Sequence, residues 1–120
     1  MRVTTTILGA VLCLSMTTPA FAVFQFGNDL KAACEPSSPE HNEEQCLGYI
    51  TGAFDALDLE QTAIQDGKVP DKHVCVPKGM TNVDVAKTVV SYIYDTPEEL
   101  NLPAAALIAN ALVKGYPCPK

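Results

Sequence analysis

Five cysteines, two histidines and a scatter of serines and acids are the side chains here that could do chemistry. Cys34, Cys46, Cys75 and Cys118 have 11, 28 and 42 residues between neighbours. None forms a C-x-x-C pair, which argues against a thioredoxin-type redox centre and against a zinc knuckle. His41 sits in an acid-rich polar stretch and His73 borders a loop. Ser37, Ser38 and Ser91 lack a nucleophile context such as G-x-S-x-G. Asp55 and Asp58 read as solvated helix acids rather than an acid–base pair. No Gly-rich phosphate loop and no cluster with metal-ligand spacing stands out. These residues suggest no enzyme, and no cofactor is expected.

The cysteines make better sense as cross-links. Met1-Arg2 followed by the uncharged, largely apolar run Val3 to Met16 reads as an export signal. Ala20-Phe21-Ala22 supplies the small residues that a signal peptidase needs, so cleavage is expected after Ala22. Cys13 leaves with that segment. The mature chain, 23–120, then has 98 residues (120 minus 22). Its four cysteines enter an oxidising compartment, where an even number reads as a disulfide framework. Three pairings are possible. The favoured one is Cys34–Cys46 with Cys75–Cys118: the first ties a short N-terminal helix to a long one across a Pro-rich turn, and the second pins the C-terminal tail.

The elements that must position these residues are helical. Asn28 is expected to cap a short helix through Cys34, with Leu30 and Ala33 on one side. Glu35-Pro36-Ser37-Ser38-Pro39 breaks it. A long helix over about 40–65 follows, with Cys46, Ile50, Ala53, Phe54, Leu57 and Ile64 on one face and Glu40, Glu43 and Glu44 in its first turns. Gly48 and Gly52, one turn apart, suggest close packing of another backbone on that face. A polar loop over 66–72 leads to an extended segment, His73 to Pro77. Thr81 and Asp84 resemble a capping box for a helix ending near Asp95, before Pro97. Thr96-Pro97-Glu98-Glu99 is another helix start. From Asn101 to Val113 no residue is charged, which predicts a helix that is central or lies against another subunit.

Size and charge narrow the classes further. One small domain is expected, in which cross-links help because little surface is buried. No segment after the signal is long enough to span a bilayer, so no membrane insertion is expected once the signal is cleaved. Without Arg2 the chain carries seven lysines against fourteen acids, a formal charge of −7. With no basic patch, nucleic acid is a poor partner, whereas a basic protein suits this surface.

Four motifs carry a family resemblance. They are Gly27-Asn28-Asp29-Leu30 leading to Cys34; Cys46-Leu47-Gly48-Tyr49-Ile50-Thr51-Gly52 with Asp55; Cys75-Val76-Pro77-Lys78-Gly79-Met80-Thr81; and Pro103-Ala104-Ala105 with Ala111-Leu112 and the closing Tyr116-Pro117-Cys118. In this order they resemble the Rap/Tai family, the periplasmic immunity proteins of type VI secretion amidase effectors. Tyr116 stands where the family often has Phe. The resemblance implies a small all-helical, disulfide-bonded domain, commonly a homodimer, that occludes the active-site cleft of a cell-wall amidase and has no catalysis of its own. The matched residues, among them Gly48, Tyr49, Gly52, Asp55, Pro77 and Gly79, look like scaffold, and no toxin-contacting residue carries over from them.

The fold expected is thus an all-α, disulfide-stapled bundle of four to five helices, and the function expected is steric inhibition of an amidase toxin. The candidate contact residues are Asp66, Gly67, Lys68, Asp71 and Lys72, in a polar, turn-rich loop next to an anchored cysteine. Two alternatives use the same features: a periplasmic acid-stress chaperone, or a homodimeric envelope module that binds another protein.

Overall fold

A computed structural model describes residues 24–63, 67–68 and 71–120. Four α-helices follow one another: α1 (Gly27–Cys34), α2 (Glu43–Thr62), α3 (Asn82–Asp95) and α4 (Ala104–Gly115). A single 3-10 turn, Pro97–Glu99, lies between the last two. Among the described residues there is no strand, only isolated bridges pairing Phe26 with Pro103 and Val74 with Pro117. This is the all-α bundle that the helical periodicity predicts. The expected signal segment with Cys13 lies outside the described residues, as do Ile64 and Asp66.

Each helix starts where a side chain or a distant carbonyl can take its free amides. In α1 the expected cap, Asn28, is already inside the helix. The start is Gly27, and Asp29 Oδ2 accepts from the Phe26 amide at 3.0 Å. The Gly27 and Asn28 amides donate to Leu102 and Leu100 carbonyls at 2.9 and 3.0 Å, so the segment before α4 caps α1. Sequence near Asn28 could not show this, because the acceptors are more than 70 residues away. Helix α2 begins later than expected. Asn42 Oδ1 accepts from the Gln45 amide at 3.0 Å, and Glu40 stays in the preceding turn, its amide bonded to Ser38 Oγ. Glu43 and Glu44 do occupy the first turn. Helix α3 has the capping box read from Thr81 and Asp84. The Thr81 backbone amide and hydroxyl both donate to the Asp84 carboxylate, and these bonds hold its pKa below the ordinary aspartate value. The start at Thr96-Pro97 yields only the 3-10 turn, and α4 begins after Pro103.

Helix α4 is the hub, packing against α1, α2 and α3. Leu107, Ile108 and Leu112 are fully buried, joined by Leu30 of α1, Ile50 of α2, and Val89 and Ile93 of α3. Burying each such side chain is worth about 2 kcal/mol. The charge-free stretch is not buried all round, however: Ala105, Ala106, Asn110 and Val113 face outward. Alanines there favour the helix while exposing little apolar area, so composition overstates burial.

Two cross-links staple the bundle. Cys34 joins Cys46 with Cα atoms 5.1 Å apart, tying the end of α1 to the first turns of α2. Cys75 joins Cys118 with Cα atoms 4.9 Å apart, tying the segment before α3 to the tail after α4. The Cys75 amide also donates to the Tyr116 carbonyl at 2.8 Å.

Candidate partner-binding site

The side chains able to do chemistry are dispersed. His41 Nδ1 donates to the Ala33 carbonyl at 3.0 Å, at the end of α1, while His73 lies at the opposite end of α2. Ser38 Oγ is bonded to Glu40. Among the described residues no group of three or more His, Cys, Asp or Glu side chains could hold a metal. Cys34, Cys46, Cys75 and Cys118 are all spent in disulfides.

Of the motif residues, Tyr49 and Gly79 have a visible role in the scaffold. Tyr49 packs edge-on against Phe24, ring centroids 5.0 Å apart, and its hydroxyl donates to the Phe24 carbonyl at 3.3 Å. Gly79 has a positive φ of 89°, which favours glycine in the turn before α3. Pro77 precedes that turn and is exposed, as is Asp55 on α2. The glycine pair is different. Gly48 and Gly52 are exposed, and a Cβ on either would meet nothing within 4 Å. The close backbone packing expected of them does not occur within the monomer. Two other glycines are under steric constraint: at Gly27 a Cβ would come within 2.7 Å of Leu107 Cδ2 and 3.0 Å of the Leu100 carbonyl, and at Gly115 within 2.6 Å of Thr88 Cγ2.

The candidate loop leaves the far end of α2. The Thr62 hydroxyl donates back to the Asp58 carbonyl at 2.7 Å, and the Ala63 amide to the Leu59 carbonyl at 2.8 Å, which closes the helix. Gly67, at φ 74°, and Lys68 are exposed, as are Asp71 and Lys72 on the returning side. The chain then runs along the end of α2 toward Cys75. Between them lies a hollow of about 330 Å³, lined by Leu57, Glu60, Gln61, Asp71 and His73.

Charge is unevenly distributed around this end. Helix α2 carries Glu43, Glu44, Asp55, Asp58 and Glu60 and no basic residue. Lys68, Lys72 and Lys78 lie in the connection that follows, so three of the seven lysines serve this one segment. A partner approaching the end of α2 therefore meets both signs of charge within a few residues, which favours orientation over bulk attraction.

Gln61 is the residue that the sequence reading missed. It is 4% exposed, and its Oε1 accepts two amides, His73 at 2.7 Å and Val74 at 2.8 Å. A signal was present: Gln61 continues the stripe Ile50, Phe54, Leu57, so a carboxamide occupies a core-facing position of α2. Such a group is retained inside only when it is hydrogen-bonded.

No helix among the described residues is long and apolar enough to cross a membrane. No curated protein and no solved structure matches the chain. The sequence profile of the Rap1a immunity proteins matches residues 26–118, from the residue before α1 to the last cysteine. With all four helices and both disulfides inside that match, the chain belongs to the Rap1a immunity protein family.

Proposed function

We propose that this protein protects its producer by binding a peptidoglycan amidase effector of a type VI secretion system in the periplasm and blocking its active-site cleft. The observation that carries the reading is the family match along the whole helical bundle. Immunity proteins of this kind work by binding a toxin effector, and a binding role suits a surface whose cysteines are cross-linked and whose histidines lie apart. The two disulfides suit an oxidising, exported compartment. On this reading residues 1–22 are the cleaved signal peptide, 23–120 the mature domain, and catalysis belongs to the toxin alone. The contact surface is the connection after α2, Asp66, Gly67, Lys68, Asp71 and Lys72, offered by a rigid end of the bundle. The mature protein is a homodimer, as the family resemblance implies.

The test is protection in cells. An amidase effector directed to the periplasm lyses its host, and co-expression of this chain with residues 1–22 restores growth. The same chain lacking those residues stays in the cytoplasm and gives no protection. Lysis despite an exported, oxidised protein would reject the proposal for that effector. Sedimentation of the mature protein reads its oligomeric state in the same preparation.

A further inference from the structure

We infer that Gln61 is a positioning residue that holds the returning arm of the partner-binding loop in place, so that recognition depends on a side chain the partner does not touch. The inference rests on the reading that the connection after α2 contacts the toxin.

An extended segment outside any sheet cannot satisfy its own amides. Between α2 and α3 three successive amides face inward with no strand to receive them. His73 and Val74 both donate to Gln61 Oε1, at 2.7 and 2.8 Å, and Cys75 donates to the Tyr116 carbonyl at 2.8 Å. Val74 and Gln61 are both buried, which shields the Val74 bond from water, while the His73 bond is half-buried. One carbonyl oxygen with two lone pairs thus fixes the register of the arm against the end of α2. The disulfide fixes the same arm one residue further on, through Cys75.

The two anchors differ in what they constrain. The disulfide holds a single point, Cys75, to the C-terminal tail. Gln61 instead ties the arm to α2, the helix from which the loop departs, and so sets the distance between the loop's two ends. Asp71 and Lys72 lie immediately before the clamped amides, and Asp71 shares a hollow with Gln61, Glu60 and His73. Losing the clamp frees that side of the loop while both cross-links remain intact. A partner must then order the arm on binding, and affinity falls by the cost of that ordering.

Three forms of the mature, oxidised protein test this: wild type, Gln61→Met, which keeps the length and loses the acceptor, and Gln61→Glu, which keeps two acceptor lone pairs. Amide hydrogen exchange comes first. In the wild type the His73 and Val74 amides are expected to be protected like those in the last turns of α2, although they belong to no helix or strand. In Gln61→Met their exchange should accelerate on the order of tenfold to a hundredfold, the size of a lost buried hydrogen bond, while α3 and α4 stay protected. Gln61→Glu should restore protection. Binding to the amidase effector of the protection experiment comes second. Gln61→Met is expected to lose at least about tenfold in affinity, mostly through faster dissociation, and Gln61→Glu to recover most of it. Unprotected His73 and Val74 amides in the wild type would overturn the clamp, and that result stands even if Gln61→Met fails to fold. Faster exchange with unchanged affinity would overturn its role in recognition. If the wild type does not bind the amidase, the immunity reading for that effector falls and the loop's role with it, while the exchange data still decide the clamp.

Discussion

At Gly27 the missing side chain is what lets two distant parts of the chain meet. The Leu100 carbonyl sits where it caps α1, 3.0 Å from the place a Cβ would occupy, and Leu107 is fully buried behind it. Gly27→Ala must push either a backbone that is hydrogen-bonded in place or a packed leucine. We expect it to destabilise the oxidised protein by about 1–3 kcal/mol, the usual cost of overpacking. Urea unfolding would show the midpoint falling with the slope unchanged; an unchanged midpoint would mean the contact relaxes freely. In the sequence Gly27 is only the first letter of a motif, since what crowds it lies some 73 to 80 positions further on. Gln61 was hidden for the same reason. Its place on the apolar stripe of α2 was visible, but the amides that justify a buried carboxamide belong to residues 73 and 74. The cysteines were more legible, because compartment and spacing limit what they can do. The structure joins Cys34 to Cys46 and Cys75 to Cys118, the pairing favoured from the helix order.

At the scale of the element, α2 poses the sharpest question. Gly48 and Gly52 lie on its exposed face with nothing near them. Leu59, one further turn and more along the helix, is 67% exposed. Glycine inside a helix costs about 0.5–1 kcal/mol relative to alanine, and here no packing within the monomer offsets it. Gly48→Ala and Gly52→Ala should therefore each raise stability by a few tenths to about 1 kcal/mol. Thermal unfolding of the single and double variants checks this, and a loss of stability would show that the face is covered in solution. Helix existence and type were readable for α2 and α3 from the 3.6-residue periodicity, for α1 from its polar start with Leu30 and Ala33, and for α4 from its uncharged apolar run. The limits were less so: α2 starts at Glu43 because Asn42 takes the Gln45 amide, and the sequence places several other capable caps nearby. Helix α4 was expected to be central or to lie against another subunit, and within one chain its face bearing Leu107, Ile108 and Leu112 is buried against the other three helices.

At the scale of the whole molecule, the disulfides and the hub helix share the task of holding a small bundle together. Joining Cys34 to Cys46, 12 positions apart, is worth roughly 3 kcal/mol on loop-closure entropy, and joining Cys75 to Cys118, 43 positions apart, roughly 4 kcal/mol. Those figures are a large part of the ~5–15 kcal/mol that holds an ordinary domain folded. Replacing Cys75 and Cys118 together by serine should lower the urea midpoint more than replacing Cys34 and Cys46. It should also loosen the segment before α3, read by proteolysis after Lys78. Equal losses from the two double variants would contradict this ordering.

As proposed above, this bundle inhibits an amidase by occupying its cleft. The most direct measurement is hydrolysis of purified peptidoglycan by the amidase effector while the oxidised mature protein is titrated in. Activity is expected to fall to baseline at a stoichiometric amount of this protein, and Gln61→Met to shift the titration to higher concentration. Full amidase activity in a large molar excess of folded, disulfide-bonded protein would contradict it.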